Sequence, residues 1–134
     1  MKILVDTSVW SVALRKSGVR DKAVIAELGE LIREMRIVMI GPIRQELLSG
    51  ISDEDTYVRL RESIRAFDDL PLGPDCYEFA ALLSNTCRKH GVQGSHTDFL
   101  ICSVALKNGF AIFTLDNDFI QYGKWIDITL HSVR

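Results

Sequence analysis

The chain has 134 residues, of which 47% are hydrophobic and 25% are charged, and its net charge is −2. These values are typical of a single folded domain and exclude a disordered chain, and no apolar stretch reaches the roughly 20 residues that a membrane helix needs. The small net charge neither supports nor excludes RNA binding, which would depend on a local basic patch or a bound metal ion.

The first half of the chain is predicted to contain two strand-helix units. Residues 3–5 form an unbroken apolar run, which is typical of a strand that is buried on both faces of a parallel sheet. The Asp6-Thr7-Ser8 segment that follows is suited to begin a helix over 9–15. The further elements predicted in this half are helix 23–36, strand 37–40, helix 43–49 and helix 53–67.

The second half continues the alternation of strands and helices. Its predicted elements are a short strand at 67–70, helix 74–90, helix 95–108, strand 110–114, a short helix at 116–122 and a last strand at 126–130. Such alternation predicts an α/β fold with a parallel central sheet of about five strands and helices on both faces. We expect one domain over residues 1–134.

The N-terminal sequence and the cysteine content bear on the cellular compartment of the protein. The chain begins directly with a strand pattern and lacks the charged and apolar regions of a signal peptide. Cys76, Cys87 and Cys102 are odd in number and irregularly spaced, so we expect three small core residues rather than a zinc site. A cytoplasmic protein is the natural expectation.

Four acidic residues stand where a parallel sheet would bring them together. Asp6 and Asp116 follow predicted strands, Glu46 lies on the first turns after the second strand, and Asp98 opens a helix. An aspartate after a strand can simply cap the next helix. Four converging carboxylates would repel one another unless a cation neutralised them, and Mg²⁺ or Mn²⁺ prefers such oxygen ligands.

A metal site of this kind favours phosphodiester hydrolysis. A bound ion lowers the pKa of a water molecule, neutralises the phosphate and stabilises the leaving oxygen, so no covalent nucleophile is needed. Helix N-termini at Thr7-Ser8 and near Asp116 could add N–H donors for phosphate oxygens.

Four segments together resemble the acidic motifs of PIN-domain proteins. They are ILVDTSVW, GPIRQELLSG, TDFLICSVAL and FTLDNDF, and their order and spacing extend over nearly the whole chain. The chain length also resembles that of the VapC-type ribonuclease toxins of VapBC toxin-antitoxin pairs. The resemblance implies a PIN-like fold with a metal-dependent endoribonuclease site. The catalytic and metal-binding residues that it implies are Asp6, Glu46, Asp98 and Asp116.

The same resemblance implies supporting residues and partners. Thr7, Ser8 and Thr114 would orient carboxylates and waters, and Asp118 would be auxiliary. The implied partners are an RNA substrate, a second copy of the chain in a homodimer, and a VapB-like antitoxin. An antitoxin arginine could dock in the acidic cleft. The resemblance leaves the class of RNA and the number of metal ions open.

Two other functions remain open from the residues alone. Asp6 could be the covalent nucleophile of an aspartyl-phosphate phosphatase, although such enzymes need a second aspartate where this chain has Ser8. The chain could also be a non-catalytic α/β protein-binding module whose acids are helix caps.

Two further features could border the site. His96 could lie at the rim of the acidic cleft, two residues before Asp98. A group of basic residues after the first acidic motif could contact RNA phosphates. It consists of Arg15, Lys16, Arg20 and Lys22.

Overall fold

The computed structural model describes residues 1–14 and 21–134 and has a small parallel sheet at its centre. The strands are β1 (Ile3–Val5), β2 (Ile37–Val38) and β3 (Ala111–Phe113), in the order β2-β1-β3. Ile3 pairs with Ile37 on one side and with Ala111 on the other. The predicted α/β fold with a parallel sheet is therefore confirmed, with β1 between the other two strands.

Seven helices are described around this sheet. They are α1 (Thr7–Leu14), α2 (Lys22–Arg33), α3 (Gly41–Leu48), α4 (Glu54–Ile64), α5 (Pro74–Lys89), α6 (His96–Asn108) and α7 (Asp118–Tyr122). Pro42 and Pro74 stand in the first turns of α3 and α5, where the missing N–H costs nothing. Gly109 ends α6 with a φ of 71°, a conformation that glycine adopts without strain. None of the helices in the described ranges is long and apolar enough to cross a membrane.

The sheet has fewer full strands than the five expected. Within the described residues, the predicted strand at 67–70 contributes a single bridge, Met39 with Asp69, and the one at 126–130 contributes Ile112 with Leu130. Pro71 has no N–H with which to extend the first pairing. In the last segment the Ile128 N–H donates to Ile126 O, a tight turn that shortens the extended run. Both segments lie at the predicted sheet edges without forming ladders.

The core is built on the strands and on α6. Every residue of β1 and β3 is buried, as expected for a parallel sheet. Seven consecutive residues of α6, from Phe99 to Ala105, are buried as well. Cys76, Cys87 and Cys102 are buried free thiols, so the expectation of three core residues is confirmed.

A buried carboxylate ties the C-terminal segment to α2. The Glu27 side chain is 4% exposed and accepts hydrogen bonds from the Arg134 guanidinium and from His131 Nε2, the latter at 2.8 Å. The Arg134 hydrogen bonds, with a smaller contribution from His131, lower the pKa of Glu27 to about 2 despite its burial. These hydrogen bonds anchor the C-terminal residues against α2.

Candidate active site

Asp6 lies at the centre of the site because β1 is the central strand. Its backbone N–H donates to Phe113 O at 2.9 Å, so β1 and β3 stay paired to the point where both strands end. The side chain is 5% exposed, and its Oδ2 accepts from Ser8 Oγ at 2.7 Å and from Thr114 Oγ1 at 2.8 Å. These hydroxyl groups satisfy one oxygen of a buried carboxylate and set its orientation.

The same two hydroxyl groups hold the turn that carries the next acids. Thr114 Oγ1 accepts from the Asp116 N–H at 3.0 Å, and Ser8 Oγ accepts from the Leu115 N–H at 3.0 Å. Each hydroxyl therefore donates to Asp6 and accepts from the backbone after β3. The orienting role of Ser8 and Thr114 stays a prediction, which these contacts support.

Asp98 enters the site from the first turn of α6. Ser95 caps this helix by accepting from the Asp98 N–H at 3.0 Å. The Asp98 Oδ2 accepts from the Tyr122 hydroxyl at 2.6 Å. Burial raises the pKa of Asp98, the hydrogen bond from Tyr122 opposes this effect, and the charges of Asp6 and Asp116 add to it. The carboxylate is thus in a site where a cation would favour its charged form.

Tyr122 was not predicted from the sequence as a site residue. It is fully buried at the end of α7, where an aromatic residue is ordinarily a core residue, so no sequence signal separated it from Phe119. Gly94 makes room for it, because a Cβ atom at position 94 would lie 2.2 Å from the Tyr122 hydroxyl oxygen. The loop before α6 and the end of α7 therefore fit together around Asp98.

Three carboxylates form a compact group. Ligand oxygens of Asp98, Asp116 and Asp118 all lie within 4.8 Å of one another. The Asp118 N–H donates to Asp116 Oδ1 at 2.9 Å, which keeps the two acids of the turn together. Asp118, expected only as an auxiliary residue, belongs to this group. Asp6 and Glu46 stand outside it, although Asp6 is joined to the same turn through Thr114.

Glu46 is held beside β1 by a separate contact. It lies on α3, is exposed, and its Oε1 accepts from Thr7 Oγ1 at 2.7 Å. Thr7 is the residue after Asp6, so the hydrogen bond places Glu46 next to the end of the central strand. The structure thus brings Thr7 to Glu46, whereas Ser8 and Thr114 orient Asp6.

The donor set fits a hard divalent cation. Carboxylate oxygens are the ligands that Mg²⁺ and Mn²⁺ prefer, and three negative groups within 4.8 Å repel one another without a positive charge between them. Asp98, Asp116 and Asp118 would hold the ion. Both described hydrogen bonds to Asp6 use Oδ2, which leaves Oδ1 for a further bond to the ion or its waters.

The basic residues and the histidine that were expected to border the site are only partly described by the structure. Arg15, Lys16 and Arg20 lie outside the described residues, and Lys22 is exposed at the start of α2. His96 is exposed at the first position of α6, two residues before Asp98, and its place at the rim of the acidic cleft stays a prediction.

The family model of the PIN domain matches residues 3–124. The chain belongs to the PIN domain family. The matched range holds all the acids described above. This PIN domain is also similar to a VapC ribonuclease of Mycobacterium bovis and to ribonuclease VapC11 of Mycobacterium tuberculosis. Each is 33% identical to it over 98% of this chain and 99% of the relative.

Solved structures show the same fold. VapBC2 from Rickettsia felis, bound to a DNA fragment from its promoter, has a TM-score of 0.79 at 16% identity and covers 98% of both chains. FitAcB from Neisseria gonorrhoeae has a TM-score of 0.77 at 22% identity and covers 97% of this PIN domain and 96% of that chain. The arrangement of a parallel sheet with surrounding helices is therefore shared with these solved structures.

Proposed function

We propose that this PIN domain is a metal-dependent endoribonuclease that acts in the cytoplasm as the toxin of a toxin-antitoxin pair. The observation that carries the proposal is the group of Asp98, Asp116 and Asp118, beside Asp6 and Glu46 at the carboxyl ends of the parallel strands. Similarity over nearly the full length to VapC ribonucleases supports RNA as the substrate. We propose Mg²⁺ or Mn²⁺ as the ion.

The bound ion would supply an activated water and would neutralise charge on the phosphate. The chain's own residues then have separate tasks. Asp98, Asp116 and Asp118 would hold the cation, and Asp6 would orient a water molecule or provide a further ligand. Tyr122 keeps Asp98 in place, and Thr114 sets the distance between Asp6 and the turn of Asp116.

Glu46 has a different position and therefore a different proposed task. Its exposed carboxylate is held by Thr7 beside the end of β1. From there it can accept a proton from an attacking water or contact the hydration shell of the ion. A covalent step at Asp6 is not part of this proposal, because the position two residues later is Ser8, whose hydroxyl donates to Asp6 instead.

Cleavage of RNA by the purified protein tests the proposal. We expect cleavage with Mg²⁺ or Mn²⁺, none with EDTA, and a loss of at least about 100-fold in Asp98→Asn or Asp6→Asn. Asp127→Asn is the matched control, since Asp127 is exposed and lies outside the acidic group. Circular dichroism would verify that each variant is folded. Cleavage that survives both EDTA and the two site substitutions would show that the assignment is wrong.

The metal site has a test of its own. Calorimetric titration with Mn²⁺ should give binding to the wild-type protein and to Asp127→Asn, and weaker binding to Asp118→Asn and Asp98→Asn. Failure of the wild-type protein to bind either ion at millimolar concentration would favour a non-catalytic protein-binding module instead.

The proposed partners are a small antitoxin and a second copy of the chain. The solved structures with this fold include toxin-antitoxin complexes, and an acidic cleft is a suitable docking point for an antitoxin arginine. Co-expression with the product of a short reading frame directly upstream should give a complex that elutes as one species and does not cleave RNA. Light scattering of the toxin alone should give the mass of a dimer.

A further inference from the structure

A groove of about 260 Å³ lies beside the acidic site, between α5 and the beginning of α6. One face of α5 forms a wall of it, with residues at helical spacing of three and four. These are Tyr77, Ala80, Ala81, Ser84, Asn85 and Arg88. The opposite wall is formed by Gly94, His96 and the first buried residues of α6. None of the functions proposed above uses this groove.

One lining residue of the groove, Gly94, adjoins the acidic site. It lies against the Tyr122 hydroxyl, which donates to Asp98. The two helices run antiparallel, since a short loop joins α5 to α6 and Ser103 Oγ donates to Cys76 O at 2.8 Å at the other end. Arg88 is therefore at the end of the groove near the acids, and Tyr77 is at the distant end. Eleven residues of helix separate them by about 16 Å.

The chemistry of the groove changes along its length. Arg88 is exposed, and the ion pairs among the described residues do not include it, so its charge is available to an anion. Asn85 offers both an amide donor and an acceptor on the exposed side. Tyr77 is 50% exposed, and buried Ala80 and Leu100 give the floor an apolar surface.

This order of groups suits a single strand of nucleic acid. Arginine binds phosphate oxygens, an amide can hydrogen-bond to a base edge, and an exposed aromatic ring provides a face on which a base stacks. Arg88 lines the groove together with Gly94 and His96, so it is the cation that would meet a neighbouring phosphate of a strand bound at the acidic group. An apolar helix or another apolar partner surface would leave the Arg88 guanidinium and the Asn85 amide without hydrogen-bond partners.

We propose that this groove holds the single-stranded RNA that flanks the scissile phosphate, with Arg88 on the adjacent phosphate, Asn85 on a base edge and Tyr77 stacked on a base further along. The proposal rests on the ribonuclease function proposed above. It identifies α5 as the element that selects the nucleotides beside the cleavage position. The substrate class is unpaired RNA, because a base in a duplex cannot stack on a side chain.

Binding measured apart from cleavage tests the groove. A fluorescein-labelled single-stranded RNA would be titrated with the Asp116→Asn protein in Mg²⁺, a background in which cleavage should be blocked. Adding Arg88→Ala or Tyr77→Ala should weaken binding by roughly 10-fold, while Tyr77→Phe, which keeps the ring, should bind normally. The matched controls are Lys89→Ala, an exposed cation on the same helix, and Leu82→Ala, whose side chain is 59% exposed outside the groove.

Base preference tests the role of Asn85. With the otherwise wild-type enzyme, RNAs that differ only at each position flanking the cleavage site would be compared. Asn85→Ala should reduce the preference at one position by roughly 10-fold and leave the others unchanged.

The outcomes separate this proposal from the function on which it rests. If Arg88→Ala and Tyr77→Ala bind RNA normally and Asn85→Ala keeps its base preference, while Asp98→Asn is inactive, the groove does not bind the substrate. The proposed ribonuclease function would not be affected by that result. Weakened binding in the groove variants of a protein that never cleaves RNA would support the groove and overturn the ribonuclease. A change of oligomeric state in Tyr77→Ala without a change in RNA affinity would show that the groove contacts a second copy of the chain, and would also overturn the proposal.

Discussion

The Tyr122 hydroxyl donates a hydrogen bond to Asp98 Oδ2 at 2.6 Å and joins the end of α7 to the beginning of α6. The two residues belong to elements that carry the acidic group from opposite sides. The position of Asp98 therefore depends on a buried side chain that cannot itself bind the substrate.

Removing this hydroxyl should affect the site more than the fold. We expect Tyr122→Phe to lower the free energy of unfolding by about 1 kcal/mol and the rate of RNA cleavage by roughly 10- to 100-fold, because Asp98 loses the donor that orients it. Urea unfolding and initial cleavage rates measure the two effects. Gln121→Ala, at an exposed position of the same helix, is the control and should retain both properties. Full activity in Tyr122→Phe would mean that the hydrogen bond is dispensable.

Adding one methyl group at Gly94 should disturb the same contact. A Cβ atom there would lie 2.2 Å from the Tyr122 hydroxyl oxygen and 2.6 Å from the ring carbon that bears it. We expect Gly94→Ala to cost about 1–3 kcal/mol of stability, because the buried ring must move, and to reduce Mn²⁺ affinity.

The control for Gly94→Ala is a substitution at a glycine where an added Cβ atom meets no close neighbour. In Gly29→Ala, on α2, the nearest atom to the new Cβ is 3.7 Å away at the end of the Arg33 side chain. This variant should gain up to about 1 kcal/mol from the higher helix propensity of alanine. Thermal unfolding measures the change in stability of both variants. Equal changes in Gly94→Ala and Gly29→Ala would contradict the predicted clash.

The Thr114 hydroxyl should be needed for the geometry between Asp6 and Asp116. Thr114→Val keeps the shape of the side chain but removes the hydrogen bonds to Asp6 Oδ2 and from the Asp116 N–H. We expect a loss of about 1–2 kcal/mol in stability and roughly 10- to 100-fold in cleavage rate.

Thr114→Ser is the matched variant, since it keeps the hydroxyl and loses a methyl group. Its cleavage rate should stay within a few-fold of the wild-type rate. If the valine and serine variants cleave RNA equally well, the hydroxyl does not position the acids.

The buried Glu27 should give a pH-dependent contribution to stability. Its pKa is lowered from the ordinary 4.5 to about 2, chiefly by the hydrogen bonds from Arg134. The contribution is therefore complete above pH 4.5 and is lost as the pH falls toward 2. At pH 7 we expect Glu27→Gln to cost about 2 kcal/mol, a value reduced by the partial exposure of Arg134.

Urea unfolding at pH 7 and pH 3 measures this difference, which should shrink at the lower pH. Glu30→Gln is the control on the same helix, because the Glu30 side chain is 53% exposed in its ion pair with Arg33. It should change stability by less than about 0.5 kcal/mol at both pH values. An undiminished cost of Glu27→Gln at pH 3 would contradict the assigned pKa.

The sequence predicts the parts of this molecule that depend on short-range pattern. The apolar runs at β1 and β3 and the acids directly after them follow from the burial of parallel strands and from the geometry of their ends. Asp6 and Asp116 were therefore predictable as neighbours, because pairing between adjacent strands brings their ends together.

The parts that were not predicted depend on long-range packing. Asp118 lies two residues after Asp116, and only the folded turn determines that its carboxylate joins the group rather than pointing away. Tyr122 is buried like a core residue, and its role depends on the space left at Gly94. The two outer strands were expected from the pattern of residues along the chain, but Pro71 limits one of them to a single bridge and the turn at Ile128 limits the other.

The hydrogen bond between Thr114 and Asp6 spans 108 residues of the chain. During synthesis the first strand and its aspartate leave the ribosome long before the partner strand and the acidic turn exist. A product that stops before Ala111 lacks one neighbour of β1, the Thr114 hydroxyl and two of the three clustered carboxylates. We therefore expect prematurely terminated chains to lack the proposed nuclease activity, which would arise only after nearly all of these residues have been translated.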